Sequence, residues 1–238
     1  MKVVAIVPAA GLGVRMGTEQ RKPLLELEGV PILLWTLRKL SACARIQKLL
    51  VALRKEDWGV VEAWLAQESF ASRVELVEGG DYRQDSVANC LARVPADTDV
   101  VLVHDAVRPF VAANHIEQVI DAAEEKGAAI LVLPVTDTVK QIEPEAGRRT
   151  HIAATLPRER IALAQTPQGF RYEVLKEAFA RADADGYHGP DEAVLVERLG
   201  YEVAVVAGSD RNIKITKPAD LELARFLLSQ ERAKSEGN

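Results

Sequence analysis

The sequence predicts an α/β fold: one mainly parallel sheet between two helical layers, with a β-hairpin inserted late in the chain. Three observations predict it. Short apolar runs rich in β-branched residues alternate with segments of helical spacing through most of the 238 residues. The runs are nearly continuous, as strands covered on both faces read, and strand–helix alternation implies parallel pairing. One stretch, 135–155, breaks the rhythm with two polar-alternating runs around Pro144-Glu145-Ala146-Gly147. That pattern suits a hairpin with a four-residue turn.

In chain order, the first strand is expected over 3–7, where four of five residues are Val or Ile, and Pro8 ends it. A helix over 32–42 follows, then a strand over 49–53, a helix over 58–67, and a strand over 74–77. A helix over 86–94, a strand over 100–103, a helix over 114–126 and a strand over 130–133 continue the alternation. The hairpin occupies 136–143 and 148–155; helices over 172–182 and 191–199 lead to a strand over 203–206. A last helix, 219–228, follows Pro218. Asp85 or Ser86, Asn114 and Asp191 are the expected helix caps. Trp35, Trp58 and Trp64 fall in helical segments and are expected to be core or half-buried.

Length fits one domain over 1–232, with a hairpin arm at about 135–157 and a flexible tail over 233–238. An isolated two-stranded ribbon is marginal in water, so the arm is expected to embrace a second subunit. Hydrophobic residues make up 48% and the net charge is −5, which excludes dominant disorder and disfavours nucleic-acid binding driven by bulk positive charge. Cys43 and Cys90 lie far apart with no metal-ligand spacing, so two half-buried thiols in a reducing compartment are expected. No run reaches the ~18 apolar residues of a membrane span. The amino-terminal run has one lysine and breaks at Pro8, unlike a signal peptide. A cytoplasmic protein with no nucleic-acid or membrane partner is expected, and no fused second catalytic domain, since the chain ends soon after its last helix.

Four loops carry candidate chemistry, each where a strand ends and ligands gather in parallel sheets. The first runs Pro8-Ala9-Ala10-Gly11-Leu12-Gly13-Val14-Arg15-Met16-Gly17, with Arg21-Lys22 following. Small residues let the backbone approach a ligand, consecutive N–H groups can cradle phosphate oxygens, and Arg15 and Lys22 add fixed charge. An ordinary strand-to-loop turn would also suit Gly11-x-Gly13. The P-loop pattern is absent, and the dinucleotide pattern G-x-G-x-x-G fails because Met16 stands at its third glycine.

The second loop, His104-Asp105-Ala106-Val107-Arg108-Pro109, places an acid where it can hold a metal ion, a ribose hydroxyl or a substrate hydroxyl. Without the first loop, a helix-capping aspartate with a surface arginine is the reading this segment favours. The third, Gly79-Gly80-Asp81-Tyr82-Arg83-Gln84-Asp85-Ser86, is a tight loop opening a helix whose amides can meet a nucleobase edge. The fourth, Asn212-Ile213-Lys214-Ile215-Thr216, sets Lys214 in an apolar frame, as a phosphate partner or a solvated strand-edge lysine. His115, His151 and His188 form no catalytic spacing and read as structural.

Together these segments resemble the cytidylyltransferases of the non-mevalonate isoprenoid route, which join CTP to 2-C-methyl-D-erythritol 4-phosphate. Further matches are Arg21-Lys22-Pro23, Asp85-Ser86-Val87, Asp137-Thr138-Val139-Lys140, Gln165-Thr166-Pro167-Gln168 and Asp191-Glu192-Ala193. They run in family order from Pro8 to Thr216, nearly the whole chain. The resemblance implies a Rossmann-like three-layer sandwich and a homodimer with interlocked hairpin arms. It implies that Ala9, Ala10, Gly11, Gly80 and Ser86 read cytosine, and that Pro8, Asp81 and Ala106 lie near the ribose. Leu12 and Gly13 complete the nucleotide loop. Arg15, Lys22 and Lys214 surround the triphosphate as the catalytic cations. Asp105, shared with the nucleotide, and Arg108 meet the polyol phosphate, with Thr138 and Arg158 carried in on an arm, the neighbouring subunit's. Mg²⁺ is implied as cofactor, held by CTP phosphates rather than by protein ligands. Two departures stand out. Pro190 occupies a position where many members place a threonine contacting the acceptor, and the turn at 144–147 is a few residues longer than in some relatives.

The implied chemistry needs no strong general base. A phosphate monoester, with a second pKa of about 6, attacks the α-phosphorus of CTP and pyrophosphate leaves. What it needs is relief of repulsion between anions, which fixed cations and Mg²⁺ supply. Three alternatives remain open at this level: a ribitol 5-phosphate cytidylyltransferase, an NAD-dependent oxidoreductase, and a non-catalytic nucleotide sensor.

Overall fold

Val3, Ala5 and Val7 face one side of the central strand and Val4 and Ile6 the other, and all five are buried. That is why the amino-terminal run is continuously apolar. The computed structural model describes residues 1–11, 22–143 and 150–236. In chain order the elements are β1 (Val3–Pro8), β2 (Glu26–Leu27), β3 (Val30–Pro31), α1 (Ile32–Ser41), β4 (Ile46–Leu53) and α2 (Trp58–Leu65). There follow β5 (Val74–Glu78), α3 (Arg83–Leu91), β6 (Val100–Val103), α4 (Ala113–Lys126) and β7 (Ala128–Pro134). The rest are β8 (Val139–Glu143), β9 (His151–Leu156), β10 (Ala162–Arg171), α5 (Tyr172–Ala184), α6 (Glu192–Glu197), β11 (Ala204–Ala207) and α7 (Pro218–Glu236).

The main sheet has the order β11-β7-β10-β6-β1-β4-β5. Every neighbouring pair is parallel except the two that β10 makes with β6 and β7. Helices α1, α2 and α4 cover one face through Leu33, Leu37, Val61, Ile116 and Val119. Helices α3, α5 and α6 cover the other through Val87, Leu175, Phe179 and Val196. A third cluster seats α7 on Leu27, Ile32, Phe110 and Ile215. The α/β three-layer expectation holds. Among the described residues, no helix is long and apolar enough to cross a membrane.

Several expectations need correction. Strand β10 was not foreseen, because Gln165, Thr166, Pro167, Gln168 and Gly169 interrupt its apolar pattern. It is nevertheless internal to the sheet, and the polar side chains in it are buried and hydrogen-bonded (below). The β2–β3 hairpin was missed as well; Glu28 and Gly29 both take positive φ (53° and 74°), as a tight two-residue connection demands. Helix α3 starts at Arg83, three residues before the expected start at Ser86. Asp85 therefore sits inside its first turn, where the carboxylate accepts from the Tyr82 N–H at 3.1 Å. Asp191 caps α6 by accepting from the Val194 N–H. Asn114 caps nothing, since α4 begins at Ala113 with no side-chain cap.

The edge strand β11 is only half covered, with Val205 exposed, so its apolar run does not mean burial on both faces. Both cysteines are fully rather than half buried, and burial pushes the Cys90 thiol up to about 12. Trp35, Trp58 and Trp64 are half-buried. Helix α7 continues to Glu236, beyond the expected end at 228 and into the expected tail. Apolar periodicity stops at Leu228, but Gln230, Glu231, Arg232 and Ala233 are good helix formers. The hairpin is present as β8 and β9, while its turn over 144–147 lies outside the described residues.

Candidate active site

Parallel pairing of β1, β4, β5 and β6 brings their C-terminal ends to one sheet edge, and the candidate loops meet there. A cavity of about 190 Å³ opens among them. Pro8, Ala9, Ala10, Gly11, Lys22, Gly80, Asp81, Ser86, Asp105, Ala106 and Lys214, all foreseen from sequence, line it. Leu12, Gly13 and Arg15 lie outside the described residues. Close approach explains the small side chains. A Cβ on Gly79 would stand 2.2 Å from the Ala10 Cβ, and one on Gly80 2.3 Å from the Asp85 Cβ. The Ser86 hydroxyl accepts from the Gly80 N–H at 3.1 Å and donates to the Tyr82 carbonyl at 3.2 Å, which fixes the loop. Lys22 donates to the Thr216 carbonyl at 2.8 Å, joining the first loop to the fourth. Asp220 accepts from the Thr216 and Lys217 N–H groups and holds the fourth loop on α7.

A second cavity of about 140 Å³ adjoins the first. Arg108, Gln165, Thr166, Gln168, Pro190 and Asp191 line it, and Arg83, Asp105 and Lys214 line both cavities. Asp105 is the hub. Its carboxylate lies 2.9 Å from Lys214 Nζ, 3.2 Å from Arg108 Nε and 3.4 Å from Arg83 Nε. Burial by itself would raise its pKa. The charges of Arg83, Lys214 and Arg108 outweigh that and hold the carboxyl well below the ordinary range. Arg83 also binds Glu192 at 2.7 Å. With Asp191 in the lining of the second cavity, three cations thus face three carboxylates where the cavities join.

Strand β10 completes this floor. The register pairs Gln168 with Val103 in antiparallel fashion, so Thr166 falls beside Asp105. Its hydroxyl accepts from the Asp105 N–H at 3.0 Å and lies 3.1 Å from His104 Nδ1. His104 Nε2 lies 3.1 Å from the Arg108 carbonyl. A carbonyl can only accept, so Nε2 carries the proton and Nδ1 accepts from Thr166. Burial lowers the His104 pKa to about 4, so the ring is neutral at pH 7 and serves as a brace. Gln165 and Asn212 lock the fourth loop to β10, with the Asn212 amide donating to the Thr166 carbonyl at 2.9 Å.

The comparisons with known proteins meet this geometry. A family model described as 2-C-methyl-D-erythritol 4-phosphate cytidylyltransferase matches residues 3–230. The chain belongs to that family. Among cytidylyltransferases of that name, the one from Acidobacterium capsulatum is 50% identical over 98% of this chain and its own full length. The one from Solibacter usitatus is 48% identical over 99% of both chains. The crystal structure of the cytidylyltransferase from Thermus thermophilus is 40% identical, with a TM-score of 0.76, covering 95% of this chain and 98% of that one. The 4-diphosphocytidyl-2C-methyl-D-erythritol synthase from Anaerococcus prevotii gives a TM-score of 0.83 at 27% identity, over 96% and 98%.

Two residues that the cytidylyltransferase resemblance assigned to the acceptor stay apart from this cluster within one chain. Thr138 is exposed at the start of the arm. Arg158, at its base, donates to the Thr136 carbonyl and lines a separate groove. Arg83, Glu192, Gln165, Thr166, Gln168 and Asn212 belong to the site but were not singled out from sequence. The available signal was polar residues inside otherwise apolar or family-matching segments.

Proposed function

We propose that this cytidylyltransferase transfers CMP from CTP to 2-C-methyl-D-erythritol 4-phosphate, giving 4-diphosphocytidyl-2-C-methyl-D-erythritol and pyrophosphate. The observation that carries the reading is the pair of adjoining cavities sharing a cationic wall of Arg83 and Lys214 around Asp105. The first, bounded by the small-residue loops, takes the nucleotide; the second takes the polyol phosphate. An acceptor phosphate oxygen forms a bond to the α-phosphorus. The bond to the bridging oxygen breaks on the opposite side, and its electron pair leaves with pyrophosphate. The acceptor's second pKa near 6 makes it largely dianionic at neutral pH, so no side chain has to remove a proton. Neutral, braced His104 fits that economy.

The difficulty is electrostatic, and preorganised cations meet it. Lys22 and Lys214, with Arg15 from the same loop, stabilise charge growing on the leaving phosphates. Mg²⁺, when bound, neutralises phosphate charge further. Asp105, the carboxylate common to both cavities, is already engaged by three cations, so the metal is best carried on the nucleotide. Asp81 is the other carboxylate within reach. The arm supports a homodimer. Ile142 and Ile152 pair across it and are 59% and 60% exposed, an apolar surface that a second subunit would cover. The partner's arm would then deliver its own Thr138 and Arg158 to the acceptor. Pro190 lines the acceptor cavity and bears on which polyol fits. The test is pyrophosphate release from CTP with each of two acceptors. Turnover with 2-C-methyl-D-erythritol 4-phosphate is expected; turnover with ribitol 5-phosphate alone overturns the assignment.

A further inference from the structure

Arg83 occupies a singular place: it is the first residue of α3, at the end of the loop that bounds the nucleotide cavity, and it also walls the acceptor cavity. Two of its three nitrogens are committed. Nη1 donates to Glu192 at 2.7 Å and Nε faces Asp105 at 3.4 Å. Among the described residues, Nη2 donates no hydrogen bond. The neighbouring cations are more fully used. Arg108 is buried, with Nε on Asp105 and Nη1 on the Asn212 carbonyl, and Lys214 is held at Asp105.

Glu192 is unusual for a glutamate. It is 1% exposed, and its Oε2 is buried without a hydrogen-bond partner among the described residues. A buried carboxylate is costly unless a cation compensates it, and the cation paired with Glu192 is Arg83. The start of α6 that carries it is itself clamped. Gln168 donates to Asp191 at 2.8 Å and accepts from the Ala193 N–H. Gln84 donates to the Tyr187 carbonyl and accepts from the Gly189 N–H, tying α3 to the same segment. Glu192 is therefore a fixed post, and the guanidinium resting on it is fixed in turn.

We propose that Arg83 binds the phosphate of the acceptor through its remaining nitrogen, Nη2, and that Glu192 is the positioning residue that aims it. This rests on the functional reading above. A planar guanidinium suits the task because two nitrogens can be anchored while the third meets an anionic oxygen. Since Arg83 continues the loop that bounds the nucleotide cavity, the same rigid piece sets both substrates relative to each other.

The test uses the full-length chain and two readouts: equilibrium CTP affinity without acceptor, and initial-rate pyrophosphate release as the acceptor is varied. Arg83→Lys keeps the charge but cannot hold three positions, and Glu192→Gln keeps the shape but not the charge. Each is expected to raise the acceptor KM roughly ten- to hundredfold, the worth of one charge-assisted hydrogen bond, with CTP Kd little changed; the thermal midpoint falls in both, because one partner of a buried pair is altered. The double variant is expected to be no worse than Arg83→Lys, since Glu192 acts only through Arg83. Glu192→Asp should fall between wild type and Glu192→Gln. An unchanged acceptor KM in both single variants overturns the proposal. So does a loss of CTP affinity as large as the rise in acceptor KM, the mark of a merely structural role. A wild-type protein inert toward the acceptor is a different failure, of the functional reading itself.

Discussion

His104 offers the sharpest test of how the active-site floor is built. Its ring is completely buried, neutral, and bonded at both nitrogens, to the Thr166 hydroxyl and the Arg108 carbonyl. Protonation would put a second donor against Thr166 and a charge in a fully buried site beside the Arg108 and Arg83 cations. The folded chain therefore resists it, and the pKa falls from 6.5 to about 4. Below pH 6.5 the unfolded chain binds the proton and the folded one does not, so stability declines as pH falls. The whole shift corresponds to about 3 kcal/mol, of which about 2 kcal/mol is lost between pH 7 and pH 5. Asp105 does not blur this window. Its pKa is depressed in the folded state, so its contribution is present above the unfolded value near 3.9 and goes only as pH drops further. The assay is urea unfolding of the wild type and His104→Gln at pH 7 and pH 5. The variant should lose about 2 kcal/mol less between the two pH values; the other three histidines cancel in the comparison. Equal losses in both proteins would refute the neutral-brace assignment.

Further outcomes follow from the same geometry. Asp105→Asn leaves Arg83, Arg108 and Lys214 facing one another without their common anion. Urea unfolding should show a loss of about 3–5 kcal/mol, as when one partner of a buried pair is removed, and a loss under 1 kcal/mol would contradict the hub. Gly79→Ala forces a methyl against the Ala10 Cβ and should cost about 1–3 kcal/mol, with CTP affinity falling alongside; unaltered nucleotide binding would mean that the two loops are not packed as described. Lys22→Ala should lower kcat about 10²–10³-fold, the usual effect of removing one transition-state donor. A change confined to KM in steady-state rates would assign Lys22 to ground-state binding instead.

The parts legible in the sequence share a physical cause. Buried parallel strands must be apolar on both faces, so β1, β4 and β6 could be read directly. Loops that admit a ligand need small residues and glycines, so the lining of the first cavity was legible from Pro8, Ala10 and Gly80. Strand β10 was hidden because it does the opposite. Gln165, Thr166 and Gln168 lie inside the sheet but are satisfied by His104, Asn212, Asp191 and backbone groups that only the folded topology brings near. The Arg83–Glu192 pair beside the second cavity was hidden for a related reason. Arg83 and Glu192 are 109 positions apart, and nothing local in either helix start announces an ion pair. The early start of α3 has a local cause: Asp85 suits a cap in sequence but works from inside the first turn, accepting from the Tyr82 N–H.

Cations that let two phosphates meet, with no covalent step on a side chain, imply a single displacement at the α-phosphorus. The most direct measurement is the configuration of the product formed from CTP carrying a chiral α-thiophosphate, read by phosphorus NMR. In-line attack by the acceptor phosphate predicts inversion; retention would require an enzyme-bound intermediate and contradict the mechanism.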